Sequence, residues 1–222
     1  MSRARRKRVA VLISGRGSNL AALIAAAMDP AYPAEIATVI ANRAEAPGLA
    51  VARDHGLATV ALPGRDFADR AAHEQAVEAA LAEARADIVC LAGYMRLLGA
   101  AFVERWQGRM INIHPSLLPL FAGLDTHARA LAAGVRVHGC TVHFVTAEMD
   151  AGPIVAQAAV PVLAGDDEPA LAARVLAAEH RLYPAALRLV AEGKVRMSGA
   201  RAVFSGLAED DATAMLVSPG AG

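Results

Sequence analysis

The sequence predicts a single α/β domain: a mostly parallel, twisted sheet flanked by helices, with an antiparallel strand pair near the C-terminal end. Three observations predict it. Short runs that are apolar throughout (RVAVLIS, IATVIA, IVCLA, MINI) recur with helical stretches between them, the pattern of strands buried on both faces. The apolar fraction, 55%, comes largely from Ala, Val and Leu with only 4% aromatics, which suits helices packed on a Val- and Ile-rich sheet. The length, 222 residues, is enough for one compact core.

Taken in order, Arg8–Ser14 reads as a buried strand and Leu20–Ala27 as a helix. Ile36–Ala41 is rich in β-formers, Pro47–His55 is helical and stops before Gly56, and Thr59–Leu62 makes a short strand. Asp69–Arg85 is a long helix with Ala72, Ala76, Ala79, Ala80 and Leu81 available for one face. Ile88–Ala92 and Met110–Ile113 are further buried strands. Right-handed crossovers place the carboxyl ends of all these strands on one edge, where ligands bind. Thr126–Ala133 is a helix ended by Gly134. Cys140–Val145 and Pro153–Val162 are strands joined by a turn too short for a helical crossover, so they are expected to pair antiparallel. Glu168–Glu192 is the last long helix, which Pro184 should kink or divide. After Gly193 periodicity is lost, and 208–222 reads as a mobile tail.

Charge and cysteine usage narrow the function classes. Twenty-two basic and 22 acidic residues balance, which argues against a nucleic-acid or membrane footprint over the whole surface. The basic run Arg3, Arg5, Arg6, Lys7 and Arg8 reads as a solvated leader, and the short apolar stretch after it is not an export signal. Cys90 and Cys140 lie in apolar runs and read as buried free thiols of a reducing, cytoplasmic protein.

Four constellations could carry chemistry. Ser14-Gly15-Arg16-Gly17-Ser18-Asn19 lies between a strand and a helix, where glycines permit close backbone approach and Ser18 or Asn19 can cap the helix. It is a phosphate site or an ordinary capped turn, and it fits neither the dinucleotide fingerprint nor the P-loop. Asn112 and His114 end a buried strand, and alternation sends both to the same side. An amide and an imidazole aimed at one point can stabilise an oxyanion and handle a proton, although a lone histidine is more often a satisfied, partly buried one. Asp150, in the turn between the late strands, is either a turn residue or the carboxylate that orients such an imidazole. Finally, His127, His138 and His143 invite a metal hypothesis, but no ligand spacing supports one.

SGRGSNL near the start, AGYMRLL at 92–98, INIHPSLLP at 111–119, GLDTH at 123–127, GCTVHFVTAEMDAGPIVAQ at 139–157 and ARVLAAEHRLYP at 173–184 occur in that order. Together they resemble the phosphoribosylglycinamide formyltransferase family over roughly residues 8–197. The resemblance implies a Rossmann-like formyltransferase fold. It also implies that the formyl group of 10-formyltetrahydrofolate, a co-substrate, passes without a metal to the amine of 5'-phosphoribosylglycinamide in purine (IMP) synthesis. The family's catalytic Asn, His and Asp fall on Asn112, His114 and Asp150; its ribonucleotide contacts fall on Gly17, Ser18, Asn19 and Glu179. Its folate contacts fall on Arg70, Met95, Arg96, Leu97, Leu98, Asn112, Thr146, Ala147, Glu148, Met149 and Asp150. Arg16 stands where some members have Asn, and Leu120-Phe121 where others have Lys-Tyr.

The expected organisation is a formyltransferase domain over 1–197, with 1–7 a basic leader, and a tail at 198–222 with little regular structure. Expected partners are the two small molecules, with no nucleic acid or membrane, in a monomer or homodimer. Formyltetrahydrofolate hydrolase is the nearest rival, but a regulatory domain is expected ahead of its first strand. Methionyl-tRNA formyltransferase is expected to carry an added RNA-binding domain. A non-catalytic nucleotide-binding module would leave Asn112, His114 and Asp150 unconnected.

Overall fold

The computed structural model describes residues 5–207 and Ser218. Seven strands form one sheet in the order β3-β2-β1-β4-β5-β6-β7: β1 Lys7–Ile13, β2 Ala34–Ala41, β3 Thr59–Ala61, β4 Ile88–Leu91, β5 Met110–His114, β6 Val137–Phe144 and β7 Ile154–Pro161. The first five are parallel; β6 runs antiparallel to both β5 and β7. The expected parallel sheet with a late antiparallel pair is therefore present. The helices are α1 Ser18–Ala27, α2 Pro47–Asp54, α3 Arg70–Glu83, α4 Ala100–Arg105, α5 Thr126–Ala132 and α6 Glu168–Ala191. None of them is long and apolar enough to cross a membrane.

Strand β1 explains why its run is apolar throughout. Val9, Val11 and Ile13 enter one core with Leu20 and Leu23 of α1 and Leu171 and Tyr183 of α6. Ala10 and Leu12, facing the other way, join Val77 and Leu81 of α3 and Phe102 of α4. A period-two strand covered on both faces has no polar side to show. Because the chain works outward from β1 to β3 and then returns to β4, β1 and β4 diverge at a topological switch point. Their carboxyl ends are fastened there: Ser14 N–H donates to the Gly93 carbonyl at 3.2 Å, and Met95 N–H to Ser14 Oγ at 2.7 Å.

Aspartates start two of the long helices, Asp69 accepting from Ala72 N–H at 2.7 Å and Asp167 from Ala170 N–H at 2.9 Å. Several expectations are corrected. Pro184 does not divide α6, which continues to Ala191 while Tyr32 Oη donates to the Pro184 carbonyl at 2.6 Å. Neither Ser18 nor Asn19 caps α1: Gly17 occupies the N-cap position in the left-handed region, φ +76°, with no side-chain cap. Helix α4 was not anticipated, since six residues are too few to display a helical period. Within the segment expected to have little regular structure, Arg201–Phe204 is a strand, β9, paired antiparallel with β8, Val195–Ser198. Four-residue strands give too short an alternation to read. Residues 1–4, 208–217 and 219–222 of the expected leader and tail lie outside the described residues.

Several histidines are buried, and His138 is only 1% exposed. Burial foremost, with the neighbouring His127 and His114, pushes its pKa down to about 4 against the opposing pull of the Pro115 carbonyl. Between that value and the ordinary 6.5 the unfolded chain binds the proton and the native chain does not, so stability rises with pH across the window. Acidification from pH 6.5 towards 4 is expected to remove roughly 3 kcal/mol through this one group. Urea unfolding across that range checks it. The His138→Gln chain, whatever its absolute stability, should show a correspondingly shallower pH dependence.

Candidate active site

Strand β5 carries Asn112 and His114 on one face, while Ile111 and Ile113 enter the core on the other. The antiparallel register sets Asn112 opposite His143 and His114 opposite Thr141, so four polar residues share a patch of sheet. Directly opposed residues on a sheet face lie within side-chain reach. The turn after β6 then brings Asp150 to them, with its own backbone left-handed at φ +54°. A Cβ at the adjoining Gly152 would strike the Phe144 carbonyl, so only glycine permits the chain to come so close there.

The predicted Asn, His and Asp converge. His114 Nδ1 lies 3.5 Å from Asp150 Oδ2, and Asn112 Nδ2 lies 3.2 Å from His143 Nε2. His143 Nε2 is in turn 3.8 Å from Asp150 Oδ1. His143 thus holds the Asn112 amide beside the Asp150 carboxylate, and sequence reasoning placed it only among candidate metal ligands. Its one signal in the sequence was an alternation with Thr141, and strand register was needed to use it. His143 Nδ1 is 2.9 Å from the Phe144 carbonyl, which can only accept. The ring proton therefore sits on Nδ1, leaving Nε2 to accept from the Asn112 amide. Burial lowers the His143 pKa, opposed by the Phe144 carbonyl and Asp150, in keeping with a neutral ring. No three His, Cys, Asp or Glu among the described residues form a group able to hold a metal.

A tethered loop covers His114. Thr141 Oγ donates to the Ser116 carbonyl at 2.7 Å and accepts from Leu118 N–H at 3.0 Å, while Gln157 Nε2 reaches the Leu118 carbonyl at 2.9 Å. Farther along, Gly123 N–H donates to Asp150 Oδ2 at 2.8 Å. Between those anchors the Phe121 carbonyl accepts from His114 Nε2 at 3.1 Å, and His114 is left 6% exposed. Both imidazole nitrogens are occupied in this arrangement. Asn112 remains partly exposed beside it.

The Gly17 loop lies at the switch point. The first intrahelical bond of α1 runs from Ala21 N–H to the Gly17 carbonyl at 2.9 Å, so the N–H groups of Ser18, Asn19 and Leu20 precede it and suit an anion. A Cβ on Gly17 would sit 2.8 Å from Gly48 Cα. Asn19 Nδ2 donates to Glu179 Oε2 at 2.7 Å, bringing the predicted acidic residue of α6 to this loop. Burial raises the Glu179 pKa, with the Asn19 hydrogen bond opposing it. Asn19 Oδ1 is buried without a partner, an acceptor that a ligand donor would satisfy.

The remaining expected residues border the same region. Leu98 and Val145 pack on one apolar cluster, which holds the 95–98 loop and the 146–150 turn to the same side of the sheet. Met95, Leu97 and Met149 are 61%, 69% and 60% exposed, an apolar surface suited to a flat aromatic ligand. Thr146 Oγ donates to the Glu148 carbonyl at 3.1 Å and shapes the turn; Ala147 and Glu148 at its tip are exposed. Arg70 opens α3 with only a loose contact to Glu74 at 3.7 Å. Arg96 lies against Gly64.

The formyl transferase family profile matches residues 7–187. A phosphoribosylglycinamide formyltransferase of Escherichia coli (strain K12) is 45% identical over 85% of this chain and 89% of its own length. The crystal structure of a phosphoribosylglycinamide formyltransferase from Brucella melitensis is 59% identical, with TM-score 0.82, covering 84% of this chain and 96% of that one. A trifunctional purine biosynthetic protein of Bos taurus is 50% identical over 87% of this chain, which spans only 19% of that relative. By contrast, a formyltetrahydrofolate deformylase from Pseudomonas syringae has the same fold, TM-score 0.83, at 28% identity. The matched profile and the near-full-length relatives make this chain a member of the formyl transferase family, on its phosphoribosylglycinamide formyltransferase branch.

Proposed function

We propose that the chain transfers the formyl group of 10-formyltetrahydrofolate to the amine of 5'-phosphoribosylglycinamide, yielding formylglycinamide ribonucleotide and tetrahydrofolate in IMP synthesis. The observation that carries this reading is the cluster of Asn112, His143, Asp150 and His114 on the sheet face that also bears the exposed apolar 95–98 loop. The near-full-length bacterial relatives named above support the choice of substrates. Free, buried Cys90 and Cys140 support a cytoplasmic setting.

The Gly17 loop and the first turn of α1 hold the ribonucleotide phosphate, with Asn19 and Glu179 beside it. The folate ring system lies between Met95–Leu98 and the 146–150 turn, and the formyl carbon comes to Asn112. The neutral amine attacks that carbon, its carbonyl π pair moves to oxygen, and a tetrahedral oxyanion forms. One Asn112 amide hydrogen is engaged by His143, which orients the other towards the oxyanion. His114, facing Asp150 through Nδ1, supplies a second donor from Nε2 once that nitrogen leaves the Phe121 carbonyl. Collapse of the intermediate breaks the bond to folate N10, which takes up a proton as the attacking nitrogen loses one. Catalysis thus includes displacement of the Phe121 carbonyl by the substrate oxygen.

Losing one oxyanion donor costs about 3 kcal/mol of barrier. Asn112→Ala and His114→Ala are each expected to lower kcat about 100-fold or more in steady-state assays that follow folate absorbance. Near-normal turnover would remove that residue from the chemistry, and formyl loss without the amine would indicate hydrolysis instead. As a positioning residue, His143 should show a different pattern. His143→Leu should lower kcat by about 10- to 100-fold with little change in either KM, and His143→Gln, whose carbonyl can still accept, should recover part of the loss. Ser18→Asp places a charge at the phosphate site and should raise the ribonucleotide KM about tenfold or more while leaving the folate KM within about twofold. Equal changes in both KM values would move the phosphate elsewhere.

A further inference from the structure

At the amino ends of β1 and β2, opposite the catalytic edge of the sheet, lies a cavity of about 570 Å³ lined by Arg5, Arg6, Arg8, Glu35, Glu83 and Arg85. Part of the basic run expected to be a solvated leader is fixed there by specific bonds. Arg8 Nε donates to the Ala84 carbonyl just past α3 at 2.8 Å, and Nη1 to Glu35 Oε1 at 3.0 Å. Arg6 Nε donates to the Ala34 carbonyl at 3.0 Å, and Nη2 to the Ala27 carbonyl at the end of α1 at 2.5 Å. No carboxylate of a described residue is bonded to Arg6, so its half-buried charge lacks a counter-ion. Arg5 is paired with Asp87 at 2.9 Å. Arg85 and Glu83 make no hydrogen bond or ion pair with another described residue.

The backbone of Arg85 gives a second, independent sign of a ligand. Arg85 follows α3 in the left-handed region, φ +49°, while Ala86 N–H returns to the Leu81 carbonyl at 3.0 Å. Glycine is the usual residue at such a helix end, because a Cβ strains that backbone. An exposed arginine without a partner offsets none of that strain in the free protein, and strain of this kind collects at binding sites. The other arginines are already ordered, which lowers the entropy cost of binding. Arg6 Nη1 and Arg8 Nη2 are left without an acceptor among the described residues. One guanidinium is anchored at the end of α1 and the other at the end of α3, helices that cover opposite faces of the sheet. That separation suits an extended anion better than a small single one. The volume lies within the roughly 300–1,000 Å³ of small-molecule sites. Its lining is charged throughout, so a ring finds no platform and the anionic part carries recognition. Guanidinium forks match phosphate oxygens in geometry as well as charge.

We propose that this cavity is a second anion site, which binds a linear polyphosphate chain, either free or as the triphosphate of a nucleotide. Arg6 and Arg8 hold the chain towards its two ends, Arg85 adds the third cation, and Glu83 weakens binding by repulsion. The site lies at the other end of the sheet from Asn112 and the Gly17 loop, so it stands whether or not formyl transfer is the reaction.

Calorimetric titration of the full chain with tripolyphosphate, ATP and adenosine tests it, alongside the Arg85→Gly, Glu83→Gln and Ser18→Asp variants. Tripolyphosphate and ATP should both bind wild type, raise its Tm and lose affinity with salt, while adenosine does not bind. Arg85→Gly should bind either ligand about fivefold or more weakly, although relief of the left-handed backbone raises the Tm of the free chain. Glu83→Gln should bind roughly threefold more tightly. Ser18→Asp should bind as wild type does. Affinities for ATP and tripolyphosphate within about threefold would name the phosphate chain alone as the ligand. ATP binding about tenfold tighter, with the same response to Arg85→Gly, would name a nucleotide as its source. Absence of binding to wild type, or binding that Arg85→Gly and Glu83→Gln leave unaltered, would overturn the proposal. Loss in Ser18→Asp alone would also overturn it, by placing the phosphates in the Gly17 loop. So would displacement of tripolyphosphate by equimolar hexaglutamate, which would assign the cavity to an acidic protein segment.

Discussion

The candidate site depends on the antiparallel addition of β6 to β5. That pairing sets His143 across from Asn112 and Thr141 across from His114, and every other feature of the cluster builds on it. A slip of β6 by one residue would turn His143 and Thr141 to the opposite face, away from Asn112 and His114. Apolar residues enforce the register from the other side: Ile111, Ile113, Val142 and Phe144 all enter the core there. The same alternation that buries those four side chains gathers the polar ones on the opposite face.

Around that pair the molecule holds polar groups in a largely closed environment. Thr141 and Gln157 anchor the loop after β5 at Ser116 and Leu118, and Asp150 anchors it again at Gly123. Each such bond contributes only about 1 kcal/mol, yet leaving its buried partner unmade costs more, so the network specifies one loop path. Gly139 belongs to this arrangement, because a Cβ there would strike the Ala158 carbonyl and crowd Leu117. Between those anchors the Phe121 carbonyl meets His114 Nε2 at 3.1 Å. One loop thus both orders the imidazole and screens it from water.

Charge is distributed along the sheet edge in a way that net neutrality conceals. The first turn of α1 offers free N–H groups at the switch point, Arg96 lies to one side of it, and the neutral His143 and the Asp150 carboxylate lie beyond β4. Buried Glu179, joined to Asn19, ties the last long helix to the first. An anion at the loop and an uncharged nucleophile near the carboxylate fit that arrangement.

Most of the fold was legible in the sequence. Continuous apolar runs set the strands, 3.6-residue periods and Asp or Pro starts set the long helices, and a short turn set the late antiparallel pair, because these depend on neighbours along the chain. The motifs likewise singled out Asn112, His114 and Asp150, and the glycine-rich loop. Elements of four to six residues, α4 and the β8–β9 hairpin, were too short to display a period, and the cap of α1 depended on the backbone of Gly17 rather than on a side chain. Tertiary structure alone decided that His143 would hold the Asn112 amide beside Asp150, that a loop carbonyl would occupy His114, and that Arg43, Arg65 and Arg96 would line one cavity. Such contacts join residues up to 53 positions apart, and they follow from strand register and from a left-handed backbone at Asp150, neither of which local sequence encodes.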